Sequence, residues 1–143
     1  MSLSADKKYD MNDSEKYTIL PTMEHETLEI VLTGEVTKNN VSALAHDLIK
    51  IVTDANPHLV LIDVRSLKGR LGLAETYFQL RNAPLHSPRI HTAFVDNKEQ
   101  AAFQSFLVTA GRNIGFRFKW FSDIEEARAW LNKNRNHNIS SKE

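Results

Sequence analysis

Residues 58–73, HLVLIDVRSLKGRLGL, decide how the rest of the chain is arranged. The stretch opens with an almost continuous apolar run at residues 59–64, which is typical of a central strand buried on both faces of a parallel sheet. Asp63 interrupts that run near its end. The polar sequence RSLKGR follows, and helical spacing begins near Leu71. The stretch therefore predicts a buried strand that delivers one carboxylate and a basic, glycine-containing corner to the rim of a sheet.

Size and composition fit one globular domain. The chain has 143 residues, of which 41% are hydrophobic and 25% charged, close to the averages for folded domains. Lys and Arg together number 18, as do Asp and Glu, so the basic excess of dedicated nucleic-acid binders is missing. The absence of cysteine excludes disulfides, thiolate metal sites and a cysteine nucleophile.

The distribution of apolar residues favours a cytoplasmic protein. No apolar run approaches the roughly 20 residues that span a bilayer. Residues 1–16, MSLSADKKYDMNDSEK, contain no apolar segment of the kind found in secretory signals. We expect no transmembrane segment, and we predict that residues 1–16 form a flexible N-terminal tail.

The first half of the chain predicts two adjacent strands and then a helix. Apolar and β-branched residues favour two strands, with Pro21 ending the first and Gly34 ending the second. A short loop joins these strands, which favours an antiparallel pair at the edge of a sheet. Apolar residues then recur with helical spacing on one face, and Asn39 or Asn40 can cap that helix. These elements are predicted at residues 16–20, 27–33 and 39–54.

The second half alternates strands and helices. After the strand at residues 59–64, we predict a helix at 71–81, a strand at 89–96, a helix with its apolar stripe at 102–110, a strand at 116–121 and a helix with its apolar stripe at 124–131. Strands that alternate with helices imply parallel neighbours joined by right-handed crossovers. The predicted fold is a single α/β domain at residues 17–132, with a mixed sheet of about five strands, four helices and the order β-β-α-β-α-β-α-β-α. Residues 133–143 are predicted to form a flexible C-terminal tail.

This pattern resembles the STAS domains, typified by anti-sigma-factor antagonists, and most closely their SpoIIAA-like branch. Three stretches carry the resemblance: VLIDVRSLKGRLGLAETYFQL at 60–80, IHTAFVDNKEQAAFQSF at 90–106 and FKWFSDIEEARAWL at 118–131. In that branch an apolar strand ends in Asp and a glycine-containing corner leads into a helix. The chain closes with an acidic turn before a helix that bears Ala-x-x-Trp-Leu, here Ala127, Trp130 and Leu131. The resemblance covers about residues 17–132.

One position departs from the signalling STAS domains. Those domains usually carry a phosphorylatable Ser or Thr just before their second helix. Leu71 stands at that place here. The resemblance therefore does not extend to partner switching controlled by phosphorylation at this position. Ser66 lies nearby and is the alternative acceptor.

The corner at residues 65–70 holds most of the candidate binding residues. Its three basic side chains and its glycine precede a predicted helix N-terminus, where free amides and the helix dipole favour anions. Asp63 stands at the carboxyl end of its strand, where open α/β sheets often bind ligands. The alternatives are an ordinary solvated turn and a carboxylate that caps loop amides. The candidates are Asp63, Arg65, Ser66, Lys68, Gly69 and Arg70.

The predicted second helix adds an apolar candidate surface. Core packing explains most members of a set of eight large aromatic side chains: Tyr77, Phe78, Phe103, Phe106, Phe116, Phe118, Trp120 and Trp130. If part of a helix face is exposed, Tyr77 and Phe78 are the first candidates for an apolar groove or a dimer surface.

Catalytic, cofactor and metal sites lack the sequence patterns that they require. The six histidines form no H-E-x-x-H pair or other ligand spacing, and neither phosphate-binding glycine motif is present. Ser66, His91 and Asp63 could be written as a hydrolytic triad, but no G-x-S-x-G elbow supports it. We expect no metal, no cofactor and no enzymatic activity.

Two functions remain open from the sequence. The resemblance implies a protein-interaction module whose partner is another protein or a second copy of this chain in a homodimer. The balanced charge of the chain argues against a nucleic acid as the partner. The alternative is a carrier of a small apolar or anionic ligand held between helices and sheet, beside Tyr77 and Phe106.

Overall fold

A computed structural model describes residues 17–69, 89–100 and 117–142, together with residues 102, 104, 105, 108 and 109; side chains of the last helix are described as far as residue 135. The five strands are β1 (Tyr17–Glu24), β2 (Thr27–Glu35), β3 (Leu59–Lys68), β4 (His91–Val95) and β5 (Arg117–Phe121). They lie side by side in that order. β1 and β2 are antiparallel and all other neighbours are parallel, so the predicted mixed sheet is confirmed.

Two helices have described bounds, and they pack on opposite faces of the sheet. α1 (Val41–Ala55) buries Leu44 and Leu48 against β1, β2 and β3. α2 (Ile124–Lys142) packs Ala127 and Leu131 against β3, β4 and β5. The predicted helix at 71–81 lies outside the described residues, while residues 102, 104, 105, 108 and 109 are helical and fall in the third predicted helix. Neither α1 nor α2 is long and apolar enough to cross a membrane.

β3 joins the two hydrophobic cores. Val60 and Ile62 point into the core beneath α1, whereas Leu59 and Leu61 point into the core beneath α2. All four side chains are buried, with at most 3% of their surface exposed. Burying one such side chain stabilises the fold by roughly 1.5–3 kcal/mol. The prediction of a central strand buried on both faces is confirmed.

β1 continues through Pro21, so the prediction that this proline ends the strand is wrong. His25 and Glu26 form a two-residue turn with φ values of 52° and 69°, as in a type I′ hairpin. The residues that flank such a turn bond to each other, and bonded and non-bonded pairs then alternate along the strands. Pro21, opposite Ile30, falls at a non-bonded position. Its ring nitrogen faces away from β2, so no hydrogen bond of the sheet is lost.

Gly34 also lies inside a strand, although the sequence predicted that it ends β2. It pairs with Tyr17 on one side and with Leu67 on the other. Its φ of 101° is accessible to glycine at little cost and to few other residues. The positive φ of this glycine therefore does not interrupt the pairing of β2.

The sequence predicted that the side chain of Asn39 or Asn40 caps α1. Asn40 occupies the N-cap position, but its side chain makes no capping hydrogen bond. Its Oδ1 accepts a hydrogen bond from the amide of Thr37 at 2.8 Å, and its Nδ2 donates to the carbonyl of Glu35 at 2.8 Å. The side chain is completely buried. Asn40 thus holds the loop between β2 and α1 in place.

α2 continues to Lys142 and includes most of the segment predicted to be a C-terminal tail. The apolar pattern stops at Leu131, which is why the sequence placed the domain end at residue 132. Polar contacts take over beyond that point. Asn134 donates a hydrogen bond to the carbonyl of Trp130 at 2.8 Å, and Arg135 donates one to the carbonyl of His25 at 2.9 Å. The predicted N-terminal tail, residues 1–16, lies outside the described residues.

Replacing Asn40 by alanine tests its role in the loop. We expect Asn40→Ala to lower the free energy of unfolding by about 1–3 kcal/mol, because the Thr37 amide and the Glu35 carbonyl lose their partner. The exposed neighbour Asn39 provides the matched control, and Asn39→Ala should change stability by less than about 0.5 kcal/mol. Urea unfolding measures both. Equal losses for the two variants would contradict this role.

Candidate binding site at the carboxyl edge of the sheet

The candidate residues lie where the parallel strands end. β3, β4 and β5 run in the same direction, so the residues that follow them meet at one edge of the sheet. Asp63 lies level with Val95, the last residue of β4, and Val95 lies level with Phe121, the last residue of β5. β3 extends past this line to Lys68. The last residues of β3 therefore extend beyond the end of β4, while they remain paired with β2 on the other side.

The segment predicted as a polar corner is largely strand, because β3 contains a bulge. Val31 pairs with Asp63 and Thr33 pairs with Ser66, so β3 uses three steps where β2 uses two. The extra residue reverses the alternation of faces. Leu67 consequently turns into the core beneath α1. By the same register, Asp63, Ser66 and Lys68 share the face that carries α2.

Asp63 and Arg65 form a forked ion pair within β3. Arg65 donates from Nε to Oδ1 of Asp63 at 2.9 Å and from Nη2 to Oδ2 at 2.8 Å. The amide of Arg65 also donates to Oδ1, at 3.1 Å. Only 9% of the Asp63 side chain is exposed, against 40% for Arg65. The carboxylate is thus buried and accepts hydrogen bonds from the Arg65 side chain and from the Arg65 amide within β3.

This environment sets the charge of both groups. Burial acts to raise the pKa of Asp63, but the hydrogen bonds from Arg65 and the positive charges of Arg65 and Arg128 together hold that pKa below its usual value. The hydrogen bond to Asp63 raises the pKa of Arg65 in return. Asp63 is therefore a stable anion whose charge Arg65 balances, and it is poorly suited to accept a proton during a reaction.

The exposed part of the site is the outer end of β3. Ser66 and Lys68 are exposed, and Asn97, which follows β4, donates a hydrogen bond to the carbonyl of Arg65 at 2.9 Å. Lys68 has no carboxylate within ion-pair distance among the residues that the structure describes. One hydroxyl and one cation are therefore presented on a strand end that is fixed to its neighbour.

Gly69 ends β3 with a conformation that requires glycine. Its φ is 75°, and a Cβ at this position would lie 2.7 Å from the carbonyl oxygen of Val36. The two segments are held together by a hydrogen bond from the amide of Val36 to the carbonyl of Lys68 at 2.8 Å. Gly69 is thus needed for this close approach of the chain after β2 to the end of β3.

Three candidates from the sequence cannot be placed. Arg70, Tyr77 and Phe78 lie outside the described residues, as do Leu71 and Phe106. Of the eight candidates, the structure brings together Asp63, Arg65, Ser66, Lys68 and Gly69.

The hydrolytic triad that was considered from the sequence is not assembled. His91 is the first residue of β4 and pairs with Leu59, four residues before Asp63 along β3. That spacing corresponds to about 13 Å along a strand. The ring of His91 packs edge-on against Trp130, with 5.9 Å between ring centroids. Within the described residues, no three His, Asp or Glu side chains are grouped as metal ligands.

A groove that the sequence did not predict lies between α2 and the β1–β2 hairpin. Its volume is about 570 Å³, and its lining is polar for the most part. Arg128 crosses it and donates to both carboxylate oxygens of Glu29, at 2.9 and 3.0 Å, and to Glu125 at 3.0 Å. Arg135 lines the far end, where it donates to the His25 carbonyl and to Asn132. Arg128 and Glu29 lie 99 positions apart, and no local pattern signals their pairing.

The ion pair makes the contribution of Asp63 to stability depend on pH. Its pKa is lower in the folded state, so the contribution is present above the unfolded pKa near 4 and is lost as pH falls through the folded pKa. We expect Asp63→Asn to cost about 1–2 kcal/mol at pH 7, limited by the exposure of Arg65 to solvent. The difference from wild type should shrink at pH values below about 4.

Urea unfolding at neutral and acidic pH measures this difference. Asp54→Asn provides the control, because Asp54 forms an exposed ion pair with Lys50 at 3.1 Å on α1. Its effect should stay below about 1 kcal/mol at every pH. A stability loss for Asp63→Asn that is independent of pH would contradict the account of the ion pair.

Comparisons with known proteins identify the fold. No protein-family model matches the sequence, and no curated protein matches it. Among solved structures, an anti-sigma factor antagonist from Mycobacterium paratuberculosis superposes with a TM-score of 0.58 and 17% identity, over 85% of this chain and 97% of the other. An uncharacterised protein of the DUF3478 family with a SpoIIAA-like fold, from Shewanella loihica PV-4, superposes with a TM-score of 0.55 and 20% identity, over 81% and 93% of the two chains. The chain therefore has the SpoIIAA-like α/β fold that the sequence resemblance implied, and it is structurally similar to STAS-like proteins.

Proposed function

We propose that this chain is a non-enzymatic, STAS-like protein-interaction module that binds its partner at the carboxyl edge of the sheet. The partner is either another protein or a second copy of this chain. Ser66 and Lys68 form the described part of the binding surface, which we call the strand-end surface. Arg70, Tyr77 and Phe78, the other candidates from the sequence, lie outside the described residues. The cytoplasm is the location that we expect for this module.

The observation that carries the proposal is the division of roles at the end of β3. Asp63 is buried and balanced by Arg65. Pairing with β2 and the hydrogen bond from Asn97 to the Arg65 carbonyl hold the strand end in place. Ser66 and Lys68 are exposed on the same face. A strand end that presents an exposed cation and a hydroxyl is suited to contact a protein surface through hydrogen bonds and charge. It does not provide the buried acid and base that a reaction would require.

The structural similarity supports a protein as the partner. One of the two similar structures is described as an anti-sigma factor antagonist, and that name refers to action against another protein. We extend this mode of action to the present chain on the basis of the shared fold. Regulation through a phosphorylated residue at position 71 is not part of the proposal, because Leu71 has no hydroxyl group.

The test uses a charge reversal that leaves the ion pair intact. Arg65 should not be replaced, because its loss would leave the buried Asp63 carboxylate without a counter-charge. Lys68→Glu changes only the strand-end surface. Lys133→Glu is the matched control, since Lys133 is an exposed lysine on α2. Proteins captured from a lysate of the source cells by each tagged variant are compared by quantitative mass spectrometry, and the strongest partner is then purified.

We expect purified partner to bind Lys68→Glu at least tenfold more weakly than wild type, which corresponds to about 1.4 kcal/mol. Binding to Lys133→Glu should be unchanged. If Lys68→Glu binds the partner with wild-type affinity, the strand-end surface is not the binding surface. The absence of any specific partner, together with a monomeric mass in light scattering, would contradict the interaction module itself.

The groove beside α2 favours a second candidate function, the binding of a small anionic ligand. Its volume of about 570 Å³ is in the range of small-molecule sites. Arg128 is balanced by two carboxylates, whereas Arg135 contacts only the His25 carbonyl and the Asn132 side chain among its described partners. The guanidinium of Arg135 is thus positioned by neutral groups and retains its charge for a carboxylate or phosphate.

Native mass spectrometry of the purified chain tests this second candidate. A co-purified anionic ligand should be present on wild type and on Lys133→Glu, and its occupancy should fall by at least tenfold on Arg135→Ala. A bound ligand that survives Arg135→Ala unchanged would exclude this groove. Wild-type protein that carries no ligand would favour the interaction module alone.

A further inference from the structure

β1 forms one edge of the described sheet. Within the described part of the chain it is the terminal strand and pairs only with β2. Leu20 and Met23 are 42% and 51% exposed, which makes them two of the three exposed large hydrophobic residues among those described. Such an edge presents backbone donors and acceptors to any extended chain, above all to the same strand of a second copy.

The pairing register shows which backbone groups point outward. Bonded and non-bonded pairs alternate from the turn at His25 and Glu26, so the N–H and C=O groups of Thr22 and Leu20 point toward β2. The corresponding groups of Ile19 and Met23 point away from it. Pro21 lies midway between Ile19 and Met23, and its nitrogen carries no hydrogen.

We propose that the outer edge of β1 is complementary to the β1 strand of a second copy of this chain, and that Pro21 keeps the two apart. In an antiparallel pair centred on residue 21, Ile19 of each strand faces Met23 of the other and the two copies of residue 21 face each other. Two residues that face each other in this way normally exchange two hydrogen bonds. Two prolines exchange none, and their carbonyls are left without donors at the centre of the interface.

The neighbouring side chains explain why this position needs protection. Leu20 and Met23 point to opposite faces of β1, so pairing with a second copy would cover apolar surface on both sides of the extended sheet. Thr22 and Glu24 are exposed as well, and neither places a charge at the centre of the edge. Pro21 is thus the feature of the described edge that opposes pairing.

Restoring the missing donor tests the proposal. Pro21→Val supplies an outward N–H together with a β-branched side chain that favours strands. Thr22→Val is the matched control, because it adds the same side chain where the N–H already bonds to β2. Pro21→Ala restores the donor without the bulk and serves if Pro21→Val does not fold. In the double variant Pro21→Val/Met23→Pro, a proline at the next outward position removes a donor again.

Light scattering after size-exclusion chromatography measures the result. We expect Pro21→Val and Pro21→Ala to have about twice the mass of wild type, or to form larger assemblies, at concentrations where wild type and Thr22→Val are unchanged. The double variant should return to the wild-type mass. In hydrogen exchange, the amides of Ile19 and Met23 should gain protection in Pro21→Val as its concentration rises.

Folded Pro21→Val and Pro21→Ala proteins with the wild-type mass would overturn the proposal. Equal association of Thr22→Val would assign the effect to the added apolar side chain instead of the donor, and would also overturn it. Circular dichroism establishes that each variant is folded. The outcome is independent of partner binding at Lys68, since β1 and the strand-end surface are altered by different substitutions.

Discussion

A carboxylate near the end of a strand buried on both faces needs a counter-charge, because water cannot reach it freely. β3 meets this requirement with Arg65, two residues later in the same strand. Arg65 donates two hydrogen bonds to Asp63 from its side chain and one from its backbone amide. The bulge between Asp63 and Ser66 lets β3 accommodate this pair while Leu67 still reaches the core. The outer end of β3 therefore depends on a buried carboxylate whose charge is balanced by a partly exposed guanidinium.

That ion pair also determines what the edge can do. A carboxylate at the end of a parallel strand is a common position for catalysis or ligand binding. Here the charge of Asp63 is balanced and its pKa is held low, so the residue serves the architecture. The exposed groups beyond it, Ser66 and Lys68, stand on a strand end that pairs with β2 and accepts a hydrogen bond from Asn97. Rigid presentation of a few polar groups suits recognition of a protein surface, where little ordering then has to accompany binding.

The sequence predicted the architecture because burial leaves a clear pattern. The apolar run of β3 and the helical stripe of α1 each produce a regular spacing that depends only on which faces are covered. The alternation of strands and helices along the chain and the antiparallel pair at the edge of the sheet followed from the same reasoning. The site was predicted less well, because its geometry depends on register. No local signal shows that residues 65–68 continue β3 through a bulge, and the sequence therefore predicts a loop at this basic corner.

Side-chain contacts between distant parts of the chain could not be predicted from local sequence patterns either. The pairing of Arg128 with Glu29, and the bond from Arg135 to the His25 carbonyl, connect α2 to a hairpin at the other end of the chain. In the sequence, Arg128 falls in the predicted last helix and Arg135 in the predicted C-terminal tail, and no local pattern signals either contact. Pro21 illustrates the same limit, because proline usually interrupts a strand. It is accommodated here because the two-residue turn places it at a non-hydrogen-bonded position opposite Ile30.

Site-specific photo-crosslinking tests the central claim, that the strand-end surface contacts the partner, most directly. A photoreactive phenylalanine analogue replaces Ser66 in one protein and Glu126, an exposed residue of α2, in another. The account predicts a covalent adduct with the partner protein from position 66 and none from position 126. An adduct from position 126 with none from position 66 would contradict it.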